Sequence, residues 1–155
     1  MTLVKPERLA VLRSVVRSNL VWAVLFSGAF VARQFYDAFV PTHDFHVRAE
    51  ITSYIAISLL LAAGFWSAWR SGSMLSGVVS GVVTTTVAAV LSIAGCLMLL
   101  AGWHDPDTMA MLRNSGGVEE MFVLPIFAIA LGLILGTIGG AAGAGARLVR
   151  RISVS

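Results

Sequence analysis

The stretch from residue 74 to residue 103 contains no charged side chain, and this feature most narrows how the chain can fold. An α-helix of about 20 apolar residues crosses the hydrocarbon core of a bilayer. Three further stretches, at residues 20–40, 51–69 and 121–146, have similar length and few charges. The sequence therefore predicts an all-α polytopic membrane protein, a four-transmembrane-helix bundle that forms one domain over residues 1–155.

The overall composition excludes several other classes of protein. Hydrophobic residues make up 57% of the chain and charged residues 12%, whereas soluble domains carry about 25% charged residues. So few charges do not cover a water-exposed surface, which excludes a soluble domain, a disordered chain and a nucleic-acid-binding module. The single cysteine, Cys96, excludes a disulfide scaffold. We expect a lipid bilayer as the surroundings and no nucleic-acid partner.

The distribution of basic residues predicts an orientation in the membrane. Cytoplasmic segments of membrane proteins carry an excess of Lys and Arg. With four spans, the N-terminal segment 1–19, the turn at residues 70–73 and the basic tail 147–155 lie on one side. That side holds Lys5, Arg8, Arg13, Arg17, Arg70, Arg147, Arg150 and Arg151, and the other side holds only Arg48 and Arg113. We expect both termini to be cytoplasmic, in a bacterial plasma (inner) membrane.

The N-terminal segment leaves two interpretations open. Its apolar and basic residues separate onto different helical faces, which is typical of an interfacial helix that contacts anionic lipid. The alternative is that this segment is a plain cytoplasmic extension of the first span, and we favour this interpretation. A cleaved signal peptide is disfavoured because the first apolar run is too long and polar residues follow where a cleavage site would lie.

Glycines repeat at four-residue spacing in the fourth span and, more weakly, in the third. Residues four apart share a helix face, and glycine there lets two backbones approach closely. Such a face packs the third and fourth spans within one protomer, or associates with a second copy or with a larger membrane complex. The helix-packing candidates are Gly77, Gly81, Gly132, Gly136, Gly139, Gly140 and Gly143.

The first span carries the only deeply placed charges of the predicted spans. Arg33 and Asp37 are four residues apart, so they lie on one face and can form an ion pair, with Gln34 beside them. Charged residues inside a membrane are by default candidates for a functional site. A structural ion pair, or an arginine that reaches up to the headgroups, is the alternative that we favour from sequence alone.

The histidines all fall in the predicted outer loops. His43, His46 and His104 lie near several carboxylates, and this combination can bind Zn²⁺ or a similar ion. The spacing is loose, so solvated polar loops are the favoured interpretation and these residues are weak metal candidates. No histidine lies at mid-span, which speaks against a haem held within the helices, and we expect no cofactor. Cys96, deep in the third span, is expected to be inert.

Three functions remain open from sequence. The first is a small non-enzymatic membrane protein that associates through its glycine faces, as an accessory or structural subunit. The second is a small oligomeric transporter or channel with Arg33 and Asp37 in the solute path. The third is a membrane enzyme or metal-binding protein that uses the outer-loop His and Asp residues; no catalytic residue is identified, and a non-enzymatic role is favoured.

Overall fold

A computed structural model describes residues 6–40, 45–102, 110 and 117–153 of the protein, and its architecture is all-helical. Helix α1 covers Pro6–Phe39, α2 covers Phe45–Ser71, α3 covers Met74–Gly102 and α4 covers Gly117–Ile152. The all-helical prediction is confirmed. Residues 6–19 continue directly into the rest of α1, as expected of a helical extension of the first predicted span.

Within the described residues, three helices are long and apolar enough to cross a membrane. The three candidate spans are His46–Ser71, Met74–Gly102 and Phe122–Ile152, which confirms the membrane-protein class. The first predicted span does not qualify over its described residues. The polar residues Arg33, Gln34 and Asp37 lower its hydropathy, so a fourth span and the shared side of the two termini remain proposals.

Two helices are longer than the sequence predicts. Helix α2 begins at Phe45 rather than near residue 51, so Arg48 belongs to its first turns rather than to a loop. Helix α4 runs from Gly117 to Ile152, through the buried Pro125, and includes most of the predicted basic tail. An apolar pattern detects only the part of a helix that lies in lipid, and polar turns at either end escape it.

The turn between α2 and α3 follows the prediction. Gly72 has a φ of +76°, a conformation that residues with a side chain rarely adopt, and its amide donates to Ala68 O at 2.7 Å. The two helices therefore run antiparallel as neighbours. Helices α2 and α3 each contact the other three helices, whereas α1 and α4 share little direct contact.

The core contains mostly small side chains. One buried cluster joins Ala23, Phe26, Leu60, Ala88 and Ala128, and a second lies around Phe30, Cys96 and Leu99. Larger apolar side chains such as Val90, Met98 and Phe127 point outward. This distribution is opposite to that of a soluble domain, and it fits a molecule whose outer surface contacts lipid.

A polar contact ties three helices together in the interior. The buried Ser80 hydroxyl of α3 hydrogen-bonds Asn19 Oδ1 of α1 and lies 3.1 Å from Ala63 O of α2. In an apolar interior such groups are costly unless they are paired. This contact fixes the register of α1 against α2 and α3.

Candidate functional site

A buried carboxylate lies between two arginines where α1 ends and α2 begins. The side chain of Asp37 is 1% exposed. Arg33 Nε donates to Asp37 Oδ2 at 3.3 Å, and Arg48 Nη1 donates to Asp37 Oδ1 at 2.8 Å. Each carboxylate oxygen therefore accepts a charge-assisted hydrogen bond, the stronger class of such bonds. We call Arg33, Asp37 and Arg48 the charge cluster.

Sequence reasoning anticipated the contact between Arg33 and Asp37 but missed Arg48. It assigned Arg48 to an outer loop, because the polar first turns of α2 do not read as a membrane span. The short connection between the two helices could have predicted the position of Arg48. Antiparallel neighbours place the last turn of α1 beside the first turns of α2. Arg48 Nη1 also lies 3.3 Å from Val40 O, so this side chain closes the end of the hairpin.

Two neighbouring side chains complete the polar region. The guanidinium of Arg48 lies over the ring of Tyr36, with Cζ 4.3 Å from the ring centroid, a cation–π contact. Gln34 is buried, whereas Tyr36 is exposed. The predicted intramembrane polar group of Arg33, Gln34 and Asp37 thus lies on the inward side of α1.

Arg33 lines two cavities. One has a volume of about 110 Å³ and is mostly apolar, with Phe30 and Thr52 among its walls. The other is an open groove of about 300 Å³ between α1 and α2, lined also by Tyr36 and Arg48. Thr52 lines both cavities as well. A guanidinium is thus the charged group that both spaces share.

A buried hydroxyl lies on the wall of the smaller cavity. Ser92 is 1% exposed, and its Oγ has no hydrogen-bond partner among the described residues. A buried polar group without a partner costs about 1–3 kcal/mol. Thr84 Oγ1, two turns away on α3, is likewise buried and has no hydrogen-bond partner among the described residues. The walls of the smaller cavity therefore include one arginine, Arg33, and a serine with an unsatisfied hydroxyl, among mostly apolar residues.

The charge cluster is not explained by stability alone. Burying charged groups costs several kcal/mol each, and apolar residues of similar volume are often as stable or more stable. Within a membrane the cost of a charged side chain is of the same order. The charge cluster, beside cavities, is therefore a candidate functional site.

The predicted glycine faces lie inside the chain. A Cβ on Gly136 of α4 would lie 2.8 Å from Gly77 O and 3.0 Å from the Gly81 Cα, both on α3. Real Cβ atoms do not approach so closely, so a side chain at Gly136 forces the helices apart. Gly132 and Gly140 face the same helix with similarly little space. We call this contact the glycine seam.

The glycine seam extends to α2, which sequence reasoning did not anticipate. A Cβ on Gly64 would lie 2.8 Å from Gly136 O, and Gly139 and Gly143 pack against the backbone at Leu61 and Phe65. Gly64 is the only glycine of its span, so the repeat of glycines that singled out the third and fourth spans is absent there. Helices α2, α3 and α4 thus meet backbone to backbone.

The candidate metal ligands are only partly placed. His46 is exposed in the first turn of α2, and His43 and His104 lie outside the described residues. Among the described residues, no three His, Cys, Asp or Glu side chains come together as a metal site would require. The free thiol of Cys96 is buried in the core, as expected.

No family model, curated protein or solved structure matches this chain.

Proposed function

We propose that this protein is a small membrane transporter or channel subunit, whose binding site for a small anion is formed by the charge cluster and the two cavities. The observation that carries the proposal is the position of Arg33. Arg33 lines both cavities, while the nearby carboxylate of Asp37 is enclosed between Arg33 and Arg48. The cavities therefore receive positive rather than negative charge.

The geometry suggests the class of solute. Ligand sites are usually concave and mostly apolar, with a few polar groups that fix orientation. The smaller cavity, at about 110 Å³, suits a solute of a few heavy atoms. Arg33 would bind its charge, and Ser92 Oγ would donate a hydrogen bond to it. A small monovalent anion, such as acetate or chloride, fits these groups.

The position of the glycine seam supports the choice of the charge cluster as the functional site. The glycine faces are occupied by contacts between α2, α3 and α4 within one chain. A partner could bind to these faces only if the three helices separated. The charge cluster lies outside the seam, on α1 and the first turns of α2.

A first experiment tests whether water reaches the site, with no assumption about the solute. Thr52→Cys, in a Cys96→Ala background, places one thiol on the wall of both cavities. We expect a charged, membrane-impermeant thiosulfonate reagent to label it in proteoliposomes. Val90→Cys is the matched control, because Val90 is exposed on the outer surface of α3, a candidate span whose outer surface contacts lipid in the proposed topology. Equal protection of the two cysteines would contradict a solute path.

A second experiment tests transport. Proteoliposomes containing the protein should take up labelled acetate or chloride at least about tenfold faster than empty liposomes. Arg33→Gln should reduce uptake at least tenfold, since it removes the charge that lines both cavities. Arg151→Gln removes an equal charge from the exposed end of α4 and should leave uptake unchanged. Uptake that is unaffected by Arg33→Gln would refute the assignment.

A non-enzymatic accessory subunit is the second candidate, and one observation favours it. Gly28 of α1 is exposed, and a Cβ there would meet nothing within 4 Å. Ala32, four residues later, is exposed on the same face. Small residues at this spacing favour close association of membrane helices. An association surface on α1, with a second copy or a larger complex, would leave the glycine seam intact.

This candidate has its own test. We expect Gly28→Leu to shift the particle mass in mild detergent from oligomer to monomer, if the α1 face is an interface. Gly145→Leu is the control, because Gly145 is also surrounded by open space but lies on α4. A monomeric wild-type protein would contradict the association surface on α1 and leave the transport proposal as the remaining candidate.

The proposed topology has four spans and two cytoplasmic termini, in a bacterial inner membrane. The support for a fourth span is the packing of α1 along α3: Asn19 lies near Ser80, and Val31 lies beside Gly95. Helix α1 therefore runs parallel to a candidate span over much of its length. Periplasm- and cytoplasm-specific reporters fused to the C-terminus test the orientation.

A metal site at His43, His46 and His104 remains a separate proposal, tested by metal content after replacement of all three by Ala.

A further inference from the structure

A third cavity lies at the opposite end of α2 from the charge cluster. It occupies about 270 Å³ between α1 and α2, and polar and apolar groups share its walls. Its walls include Ser18, Asn19 and Trp22 of α1, and Trp66, Arg70 and Ser71 of α2. We call it the basic pocket. Its size is near the lower end of the about 300–1,000 Å³ typical of ligand sites.

The charge around the basic pocket has one sign. Arg70 is exposed at its rim, and no described residue forms an ion pair with it. Arg147 reaches the same turn, where its Nη1 donates to Arg70 O at 2.6 Å. Arg17, which directly precedes the pocket residue Ser18 on α1, adds a further positive charge. A negatively charged group is therefore the natural occupant.

The position of the basic pocket relative to the membrane narrows the occupant further. The candidate span of α2 ends at Ser71, so Arg70 and Ser71 lie at its boundary. Trp22 and Trp66 line the pocket, and tryptophan rings favour the headgroup layer of a bilayer. Ala63, two turns before Arg70 on α2, also lines the pocket, together with the polar side chains of Asn19 and Ser67. The pocket thus offers a guanidinium at the membrane boundary and apolar surface from two tryptophan rings and an alanine further in, where an acyl chain would lie.

We infer that the basic pocket binds the phosphate headgroup of an anionic phospholipid. The phosphate accepts hydrogen bonds from the Arg70 guanidinium, and the first part of an acyl chain lies against Trp22, Trp66 and Ala63. Basic pockets between membrane helices are known to hold lipid headgroups in this way. The site is independent of the charge cluster, which lies at the other end of α2.

Lipid binding to the purified protein in mild detergent, counted by native mass spectrometry, tests this inference. We expect phosphatidylglycerol to bind at least about fivefold more tightly than phosphatidylcholine of the same chain length. Arg70→Gln should abolish this preference, and Arg70→Lys should retain part of it. Arg151→Gln, which removes the same charge from the exposed end of α4, should preserve the preference.

Three results would overturn the inference. Equal binding of the two lipids by the wild-type protein would show that the pocket does not select a negative headgroup. Equal losses in Arg70→Gln and Arg151→Gln would show a general surface charge effect. Full competition by inorganic phosphate, at a concentration similar to that of the lipid, would show that the pocket binds free phosphate and does not need the acyl chain.

Discussion

The glycine seam and the charge cluster hold helices together by opposite means. In the seam, α2, α3 and α4 meet through backbone atoms, with no space for an added Cβ at Gly77, Gly81 or Gly136. At the charge cluster, α1 and α2 meet through long charged side chains, with cavities beside them. Close backbone contact gives rigidity and excludes solutes, whereas side-chain contact leaves space that a solute can enter. We infer a rigid frame of three helices and a binding region along α1.

The largest expected effect comes from filling the glycine seam. Gly136→Leu adds a side chain that meets Gly77 O and the Gly81 Cα, so the helices must separate. Overpacking of a close-packed interior costs about 1–3 kcal/mol and occasionally more. Because backbone atoms on two helices cannot move aside independently, we expect loss of the folded, monodisperse protein. Size-exclusion chromatography in detergent measures this. Gly145→Leu, in open space, should remain folded, and a folded Gly136→Leu would contradict the seam.

A smaller but still large effect is expected at the charge cluster. Asp37→Asn removes the negative charge between Arg33 and Arg48, so both guanidinium groups lose their ion-pair partner. Breaking a buried ion pair from one side costs about 3–5 kcal/mol. We expect a clear fall in the thermal unfolding midpoint in detergent. A change at the exposed Glu50, Glu50→Gln, is the control and should be close to neutral. An unchanged midpoint for Asp37→Asn would show that Asp37 is solvated.

Two buried serines on α3 give a finer comparison. Ser80 Oγ bonds groups on two other helices, whereas Ser92 Oγ has no partner among the described residues. Ser80→Ala should lower the free energy of unfolding by about 1 kcal/mol, the typical net worth of a hydrogen bond. Ser92→Ala should leave stability unchanged or raise it, because it removes an unsatisfied polar group. Thermal unfolding of both variants measures the difference. If Ser92→Ala were the more destabilising, a partner of Ser92 would be implied.

Sequence alone predicted the parts of this fold that arise from local patterns. Long apolar runs located α2, α3 and α4, and the Gly72 turn followed from its residues. The polar first turns of α2 were missed, since they carry no apolar signal, and with them the role of Arg48 in the cluster. Gly64 was missed because packing between three helices depends on their arrangement, which no single span records. The basic pocket was missed for the same reason.

The most direct test of the account replaces the whole charge cluster with apolar residues of similar size. In the variant Arg33→Met, Asp37→Leu, Arg48→Met, no buried charge is left without a partner. Replacement of a complete buried ion cluster is often neutral or stabilising. If the cluster serves binding and the glycine seam serves stability, the variant should unfold at or above the wild-type midpoint. It should also lose at least about tenfold of the acetate or chloride uptake. A variant that transports as well as the wild type, or that fails to fold, would contradict this division of roles.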